Sequence, residues 1–157
     1  LTSAKSVAER ADSATSNAPS GLSYKPRTLL YVEDNPANLK LVEQIIARRR
    51  PDMRLLSARN GNLGIELARA SRPDVILMDI NLPGMSGIKA MQILRADTAT
   101  ARIPVVALSA NAMPRDIERG LEAGFFRYLT KPIKVTEFMD TLDVALKFAE
   151  HEVDQSA

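Results

Sequence analysis

The sequence predicts an α/β protein built on a doubly wound, five-stranded parallel sheet. Two observations carry this expectation. From Thr28 onward, short β-rich apolar runs alternate five times with segments whose apolar residues recur at helical spacing. Such repeated alternation means parallel strands joined by right-handed crossovers. The strand runs are also apolar throughout, as in Val75-Ile76-Leu77-Met78 and Val105-Val106-Ala107-Leu108, so both faces of the sheet should be covered by helices.

Strand one is Thr28 to Val32, and the helix after it is signalled by Asn35 as N-cap and Pro36 at the first helical position, with Leu39, Val42, Ile45 and Ile46 on one face. Arg48, Arg49 and Arg50 close that helix, where cations complement the helix dipole, and Pro51 ends it. Strand two is Leu55 to Ala58, followed by a helix from about Leu63 to Ser71 with Ile65, Leu67 and Ala68 inward. Strand three is Asp74 to Met78. After it comes a Pro83-Gly84 turn, then Ser86 as N-cap of a helix burying Ile88, Met91, Ile93 and Leu94. Strand four, Ile103 to Leu108, leads to a helix near Pro114 to Ala123, with Ile117 and Leu121 four apart and Gly124 placed to end it in the left-handed conformation. Strand five is Phe126 to Leu129, and the last helix spans roughly Val135 to Ala149 with Phe138, Leu142, Ala145 and Leu146 as its apolar stripe.

With 157 residues, 45% hydrophobic and 25% charged, the chain fits one core that buries roughly two thirds of its unfolded surface. We expect one domain over residues 27–149 and a C-terminal tail over 150–157. Residues 1–26 are rich in Ser and Ala and poor in large apolar side chains, a composition that does not order itself, so a flexible linker or tail is expected, with a frayed helical stretch around Ala4 to Ala14. Leu1 in place of Met suggests a segment cut from a longer polypeptide. The absence of an apolar stretch near the ~20 residues of a membrane helix, and of a basic-then-apolar leader, points to a cytoplasmic chain without membrane contact, although its parent could be membrane-anchored. Zero cysteines exclude disulfides, thiol catalysis and thiolate zinc sites, and His151 alone cannot build a histidine metal cluster. It reads as a solvated tail residue. The net charge of +2 is small and scattered, unlike the basic face that tracks a phosphate backbone, so nucleic-acid contact is not expected.

The strand ends hold the chemistry. Glu33 and Asp34 follow strand one, Asp79 follows strand three, Ser109 follows strand four and Lys131 lies just past strand five. In open sheets of this kind, ligands bind beyond the carboxyl ends of the strands, where the winding reverses. Three carboxylates crowded into one crevice need a cation, and hard oxygen ligands without imidazole or thiolate suit Mg²⁺. Lys131 adds a compact positive charge for phosphoryl oxygens, and Ser109 a neutral donor. Taken alone, an aspartate ending a strand is usually a turn or cap residue; the constellation as a whole reverses that reading.

Four ordered signatures resemble one family: Val32-Glu33-Asp34-Asn35, the stretch from Asp74 through Asp79 and Pro83-Gly84 to Gly87, Ala107-Leu108-Ser109-Ala110, and Tyr128-Leu129-Thr130-Lys131-Pro132. Over about residues 27–149 the sequence resembles the receiver domain of two-component response regulators. That resemblance implies the flavodoxin-like (βα)5 fold with strand order 2-1-3-4-5. It implies Asp79 as phosphoacceptor and Lys131 as neutraliser of the acyl phosphate. It also implies Mg²⁺ held by Glu33, Asp34, Asp79 and the backbone carbonyl of Asn81. Ser109 and Tyr128 would be the switch pair, acting on the surface of the fourth helix, fifth strand and fifth helix, through which the family also dimerises. Lys131-Pro132 would be cis, as in the family. The phosphodonor would be a histidine kinase or histidine phosphotransfer protein, since the chain lacks a nucleotide-binding domain; it is not itself a kinase, and hydrolysis of its own aspartyl phosphate would reset it.

Several positions depart from the commonest family pattern. Glu33 replaces the more usual aspartate, Asn111 is uncharged where the family tunes phosphate lifetime, and Lys134 stands where an acidic or amide cap often precedes the last helix. Either Thr136 or Thr130 covers the exposed amides there, or the helix starts late. A haloacid-dehalogenase-type hydrolase would want a second aspartate at Asn81, and a dinucleotide fold a Gly-rich turn after strand one; neither is present. The stretch after Lys131 holds the last helix and a tail but not a DNA-binding domain. The surroundings of Ser109 and Lys131 look most like receivers of hybrid sensor histidine kinases. The alternatives are a stand-alone single-domain response regulator and a receiver that docks without phosphorylation.

Overall fold

The computed structural model describes residues 26–156. The expected linker, with its helical stretch around Ala4 to Ala14, therefore lies outside the described residues, Pro26 excepted. The elements are β1 (Thr28–Val32), α1 (Pro36–Arg49), β2 (Arg54–Ala58), α2 (Gly61–Ser71), β3 (Val75–Asp79), α3 (Gly87–Ala96), β4 (Val105–Ser109), α4 (Pro114–Ala123), β5 (Arg127–Thr130) and α5 (Val135–Ser156). All strand pairs are parallel, in the order β2-β1-β3-β4-β5. Both match the expectation.

The sheet separates two apolar clusters. On one face Leu29, Tyr31, Leu77, Val106 and Leu108 meet Val42, Ile45 and Ile46 of α1 and Phe138, Leu142 and Leu146 of α5. On the other, Leu30, Val32, Ile76 and Met78 meet Ile65 of α2 and Met91 and Leu94 of α3. Burial of both faces explains why these strands carry unbroken apolar runs.

The caps explain where the helices begin. The Asn35 side chain accepts from the amides of Ala37 and Asn38, Asn60 from Leu63, and Ser86 from Lys89. Because Asn60 is the cap, α2 starts at Gly61, earlier than the apolar pattern suggests. Gly124 closes α4 at φ 112°, a left-handed conformation suited to glycine.

Several boundaries differ from the sequence expectation: β2 starts one residue earlier, at Arg54, β3 and β4 start later, at Val75 and Val105, and β5 is shifted by one residue to Arg127–Thr130. β3 and β4 each run one residue further, taking in Asp79 and Ser109, because the ladder continues: the Ile80 amide donates to the Leu108 carbonyl and the Lys131 amide to that of Ser109. The last helix does not end near Ala149 but reaches Ser156. Beyond its core stripe it is held by Phe148 against Phe126, ring centroids 5.1 Å apart, and by an ion pair between Glu150 and Arg27. In α4, Leu121, four residues after Ile117, is 49% exposed; the buried residue of that helix is Gly120.

Candidate functional site

β1 lies between β2 and β3, so the winding reverses beside its carboxyl end, which is where an open parallel sheet leaves a crevice. Glu33 is fixed there by its backbone, its amide donating to the Ala58 carbonyl at 2.9 Å as if β1 continued alongside β2. Asp79 ends the neighbouring strand β3, and each is only 3% exposed. Asp34 is exposed at the rim. One carboxylate oxygen from each of Glu33, Asp34 and Asp79 lies within 4.8 Å of the other two.

Lys131 holds the two buried acids together. Its Nζ is 3.1 Å from Asp79 Oδ2 and 3.5 Å from Glu33 Oε1. The other Asp79 oxygen, Oδ1, accepts from the Asn81 amide at 3.0 Å. Glu33 Oε2 accepts from the Asn35 amide at 3.3 Å, and Oε1 from the Tyr31 hydroxyl at 2.7 Å. Burial pushes the Glu33 carboxyl above its usual range, opposed by the Tyr31 hydrogen bond and reinforced by the charge of Asp79. Burial works against the Lys131 ammonium, yet the hydrogen bond and charge of Asp79, with Glu33 behind them, hold its pKa above the ordinary lysine value. Burial, then the hydrogen bond to Glu33, raises the Tyr31 phenol, so it stays a donor.

Three carboxylates against one ammonium leave the crevice anionic. The donor set is hard oxygen alone, with a lysine beside it to balance part of the charge, and it fits a small divalent cation such as Mg²⁺. The sequence-named residues Glu33, Asp34, Asp79 and Lys131 are thus brought together.

Ser109 and Tyr128 line the neighbouring strands. Ser109, buried at the end of β4, accepts from the Asn111 amide through Oγ at 3.1 Å. The Tyr128 hydroxyl donates to the Asn111 carbonyl at 3.1 Å, so both side chains grip one loop residue. Lys131-Pro132 is cis. A Cβ on Gly120 would stand 2.7 Å from Tyr128 Cδ2, so the absence of a side chain there makes room for the ring. Gly120→Ala is expected to displace that ring and break its bond to Asn111, read as a changed Tyr128 ring resonance in NMR with most other signals in place.

Tyr31, the Asn35 amide, Gly87 and Gly120 were not singled out from the sequence. Tyr31 could have been: residues two apart on a strand share a face, which sets its phenol beside Glu33.

The chain matches the response regulator receiver domain family over residues 29–143. It is 40% identical over 117 residues to the polar-differentiation response regulator DivK of Brucella anthropi, a match covering 74% of this chain and 94% of that protein. Among solved structures, the receiver domain of a sensor histidine kinase from Pseudomonas aeruginosa PAO1, with a magnesium ion coordinated in its active-site cleft, aligns with a TM-score of 0.71 and 34% identity over 78% of this chain and 99% of that one. The signal receiver domain of a signal transduction histidine kinase from Syntrophus aciditrophicus aligns with a TM-score of 0.70 and 28% identity over 77% and 90% of the two chains.

Proposed function

Because this chain belongs to the response regulator receiver domain family, we propose that it accepts a phosphoryl group on Asp79 from a phosphohistidine and passes on a conformational signal. The observation that carries this reading is the Asp79 carboxylate held between the Asn81 amide and the Lys131 ammonium, with two further acids at hand. Transfer breaks the P–N bond of the donor histidine and forms an O–P bond to Asp79, the imidazole staying with the donor protein. In such transfers the protein mainly positions groups and stabilises charge. Lys131 offsets the charge of the new acyl phosphate. Glu33, Asp34 and Asp79, with the Asn81 carbonyl, would hold Mg²⁺, whose chemical contribution when bound is to neutralise phosphoryl oxygens and fix their orientation.

The signal requires that the phosphate favour one of two conformations. Ser109 would leave the Asn111 amide to donate to a phosphoryl oxygen, and Tyr128 would rotate away from Asn111. The surface of α4, β5 and α5 would then change, and it is the proposed dimer face.

Incubating the protein with a small-molecule acyl phosphate and Mg²⁺ tests this. Intact mass should rise by one phosphoryl group, the modified peptide should carry it on Asp79, and chelating the metal should abolish the gain. An unmodified protein would favour phosphorylation-independent docking, and modification elsewhere would remove Asp79 from its role.

The donor would be a histidine kinase or a histidine phosphotransfer protein, and the chain would work in the cytoplasm; among the described residues no helix is long and apolar enough to cross a membrane. A place as terminal receiver of a hybrid histidine kinase is supported by the histidine-kinase receivers it resembles. A stand-alone regulator is supported by the match along nearly the whole of DivK. The flanking coding sequence separates the two.

A further inference from the structure

We propose that Tyr31 is a positioning residue for Glu33, its buried phenol clamping the carboxylate that would help to hold the divalent cation. This deepens the magnesium-site reading above and rests on it. Tyr31 is fully buried in β1, on a face otherwise made of Leu29, Leu77, Val106 and Leu108. A hydroxyl among such side chains is costly unless it is hydrogen-bonded, and this one donates to Glu33 Oε1 at 2.7 Å. The partner is set by strand geometry, since residues 31 and 33 share a face.

Glu33 is the residue that needs holding. Its arm is one methylene longer than an aspartate's, with one more torsion to fix, and loosely held ligands bind metal poorly. Three donors surround it: the phenol on Oε1, the Asn35 amide on Oε2, and Lys131 at 3.5 Å from Oε1. A carboxylate offers about four acceptor sites, so little capacity remains beyond these, and one of its oxygens lies within 4.8 Å of an oxygen of Asp34 and an oxygen of Asp79. Of the three donors, the phenol is the one anchored in the core and unable to turn toward solvent. Lys131, by contrast, also serves Asp79. Without the phenol, Glu33 is free to turn toward the lysine, drawing on the charge that Asp79 uses.

Tyr31→Phe removes the hydroxyl and keeps the ring, so no buried polar atom is orphaned on the tyrosine side. Binding of Mg²⁺ is followed by calorimetry and by the amide shifts of Asp34 and Asp79, alongside thermal unfolding without metal. The dissociation constant is expected to rise about 10-fold, the lower end for losing a partner of a metal ligand, while the metal-free melting temperature stays close to that of the wild type. Phosphate gain should slow at subsaturating Mg²⁺ and recover at saturation. In a Glu33→Asp background the shorter acid no longer reaches the phenol, so adding Tyr31→Phe should change affinity by less than about twofold, as for uncoupled sites. Wild-type affinity in Tyr31→Phe would overturn the clamp, and so would an equal loss in the Glu33→Asp background, which would assign the effect to packing of β1. A wild-type protein that gives no response to Mg²⁺ would instead overturn the magnesium site itself, and the clamp with it.

Discussion

Asp79→Asn is expected to abolish phosphate gain and, at the same time, to make the protein more stable. The amide is not a nucleophile, so the loss should be complete. The gain in stability follows from the crowding of Glu33, Asp34 and Asp79 within 4.8 Å. Two like charges about 4 Å apart repel by roughly 4 kcal/mol at an effective dielectric constant near 20. Part of this is offset by Lys131, which would lose its 3.1 Å bond to Asp79 but keep Glu33 at 3.5 Å. A net gain of about 1 kcal/mol is expected, equivalent to a rise of a few degrees in melting temperature. Thermal unfolding in chelator, with and without the substitution, measures it. A lower melting temperature for the variant would mean that the Lys131–Asp79 bond outweighs the repulsion. Strain among like charges at a working site, relieved at the expense of activity, is a common trade-off.

Gly87→Ala should be the most damaging single methyl group near the crevice. A Cβ at that position would lie 2.7 Å from the Ile80 Cα and 2.8 Å from the Asp79 carbonyl oxygen. Both are backbone atoms, which cannot swing aside as a side chain can. The Gly87 amide also donates to the Ile80 carbonyl at 2.9 Å, so the start of α3 is pinned against the end of β3. Overpacking against a rigid neighbour costs about 3 kcal/mol at the upper end of the usual range. Relief would require moving the Asp79–Ile80 backbone, and with it the carboxylate. The variant should therefore lose stability in urea and, at saturating Mg²⁺, accept phosphate more slowly than the wild type. Unchanged rates in a folded Gly87→Ala protein would show that the strand end tolerates the shift.

The parts of the fold set by local chemistry were legible in the sequence. Asn35 and Ser86 read as helix N-caps and are, whereas Asn60, the cap of α2, was missed because Gly61 and Gly64 after it carry no apolar signal. Unbroken runs such as Val75 to Met78 announced a sheet covered on both sides. The acids and Lys131 were legible as a set because topology sends every strand end to one edge. What could not be read depends on space between distant residues. Leu121 follows the helical period yet is 49% exposed, while α4 meets the Tyr128 ring at Gly120. Gly87 is only the end of a signature in sequence and a steric requirement in space. The length of α5 was hidden because its final turns lack the apolar stripe that marked Phe138 to Leu146.

The ion pair between Arg27 and Glu150 joins the start of β1 to the far part of α5. Arg27 immediately precedes β1, and α5 runs back from the end of β5, so both residues sit at the amino edge of the sheet. Five strand residues, roughly 16 Å at the usual rise, separate that edge from the acids. A tether, a neighbouring module or a fluorescent label joined at either point therefore leaves the opposite mouth clear, and an approaching protein can reach the aspartate from the unencumbered end.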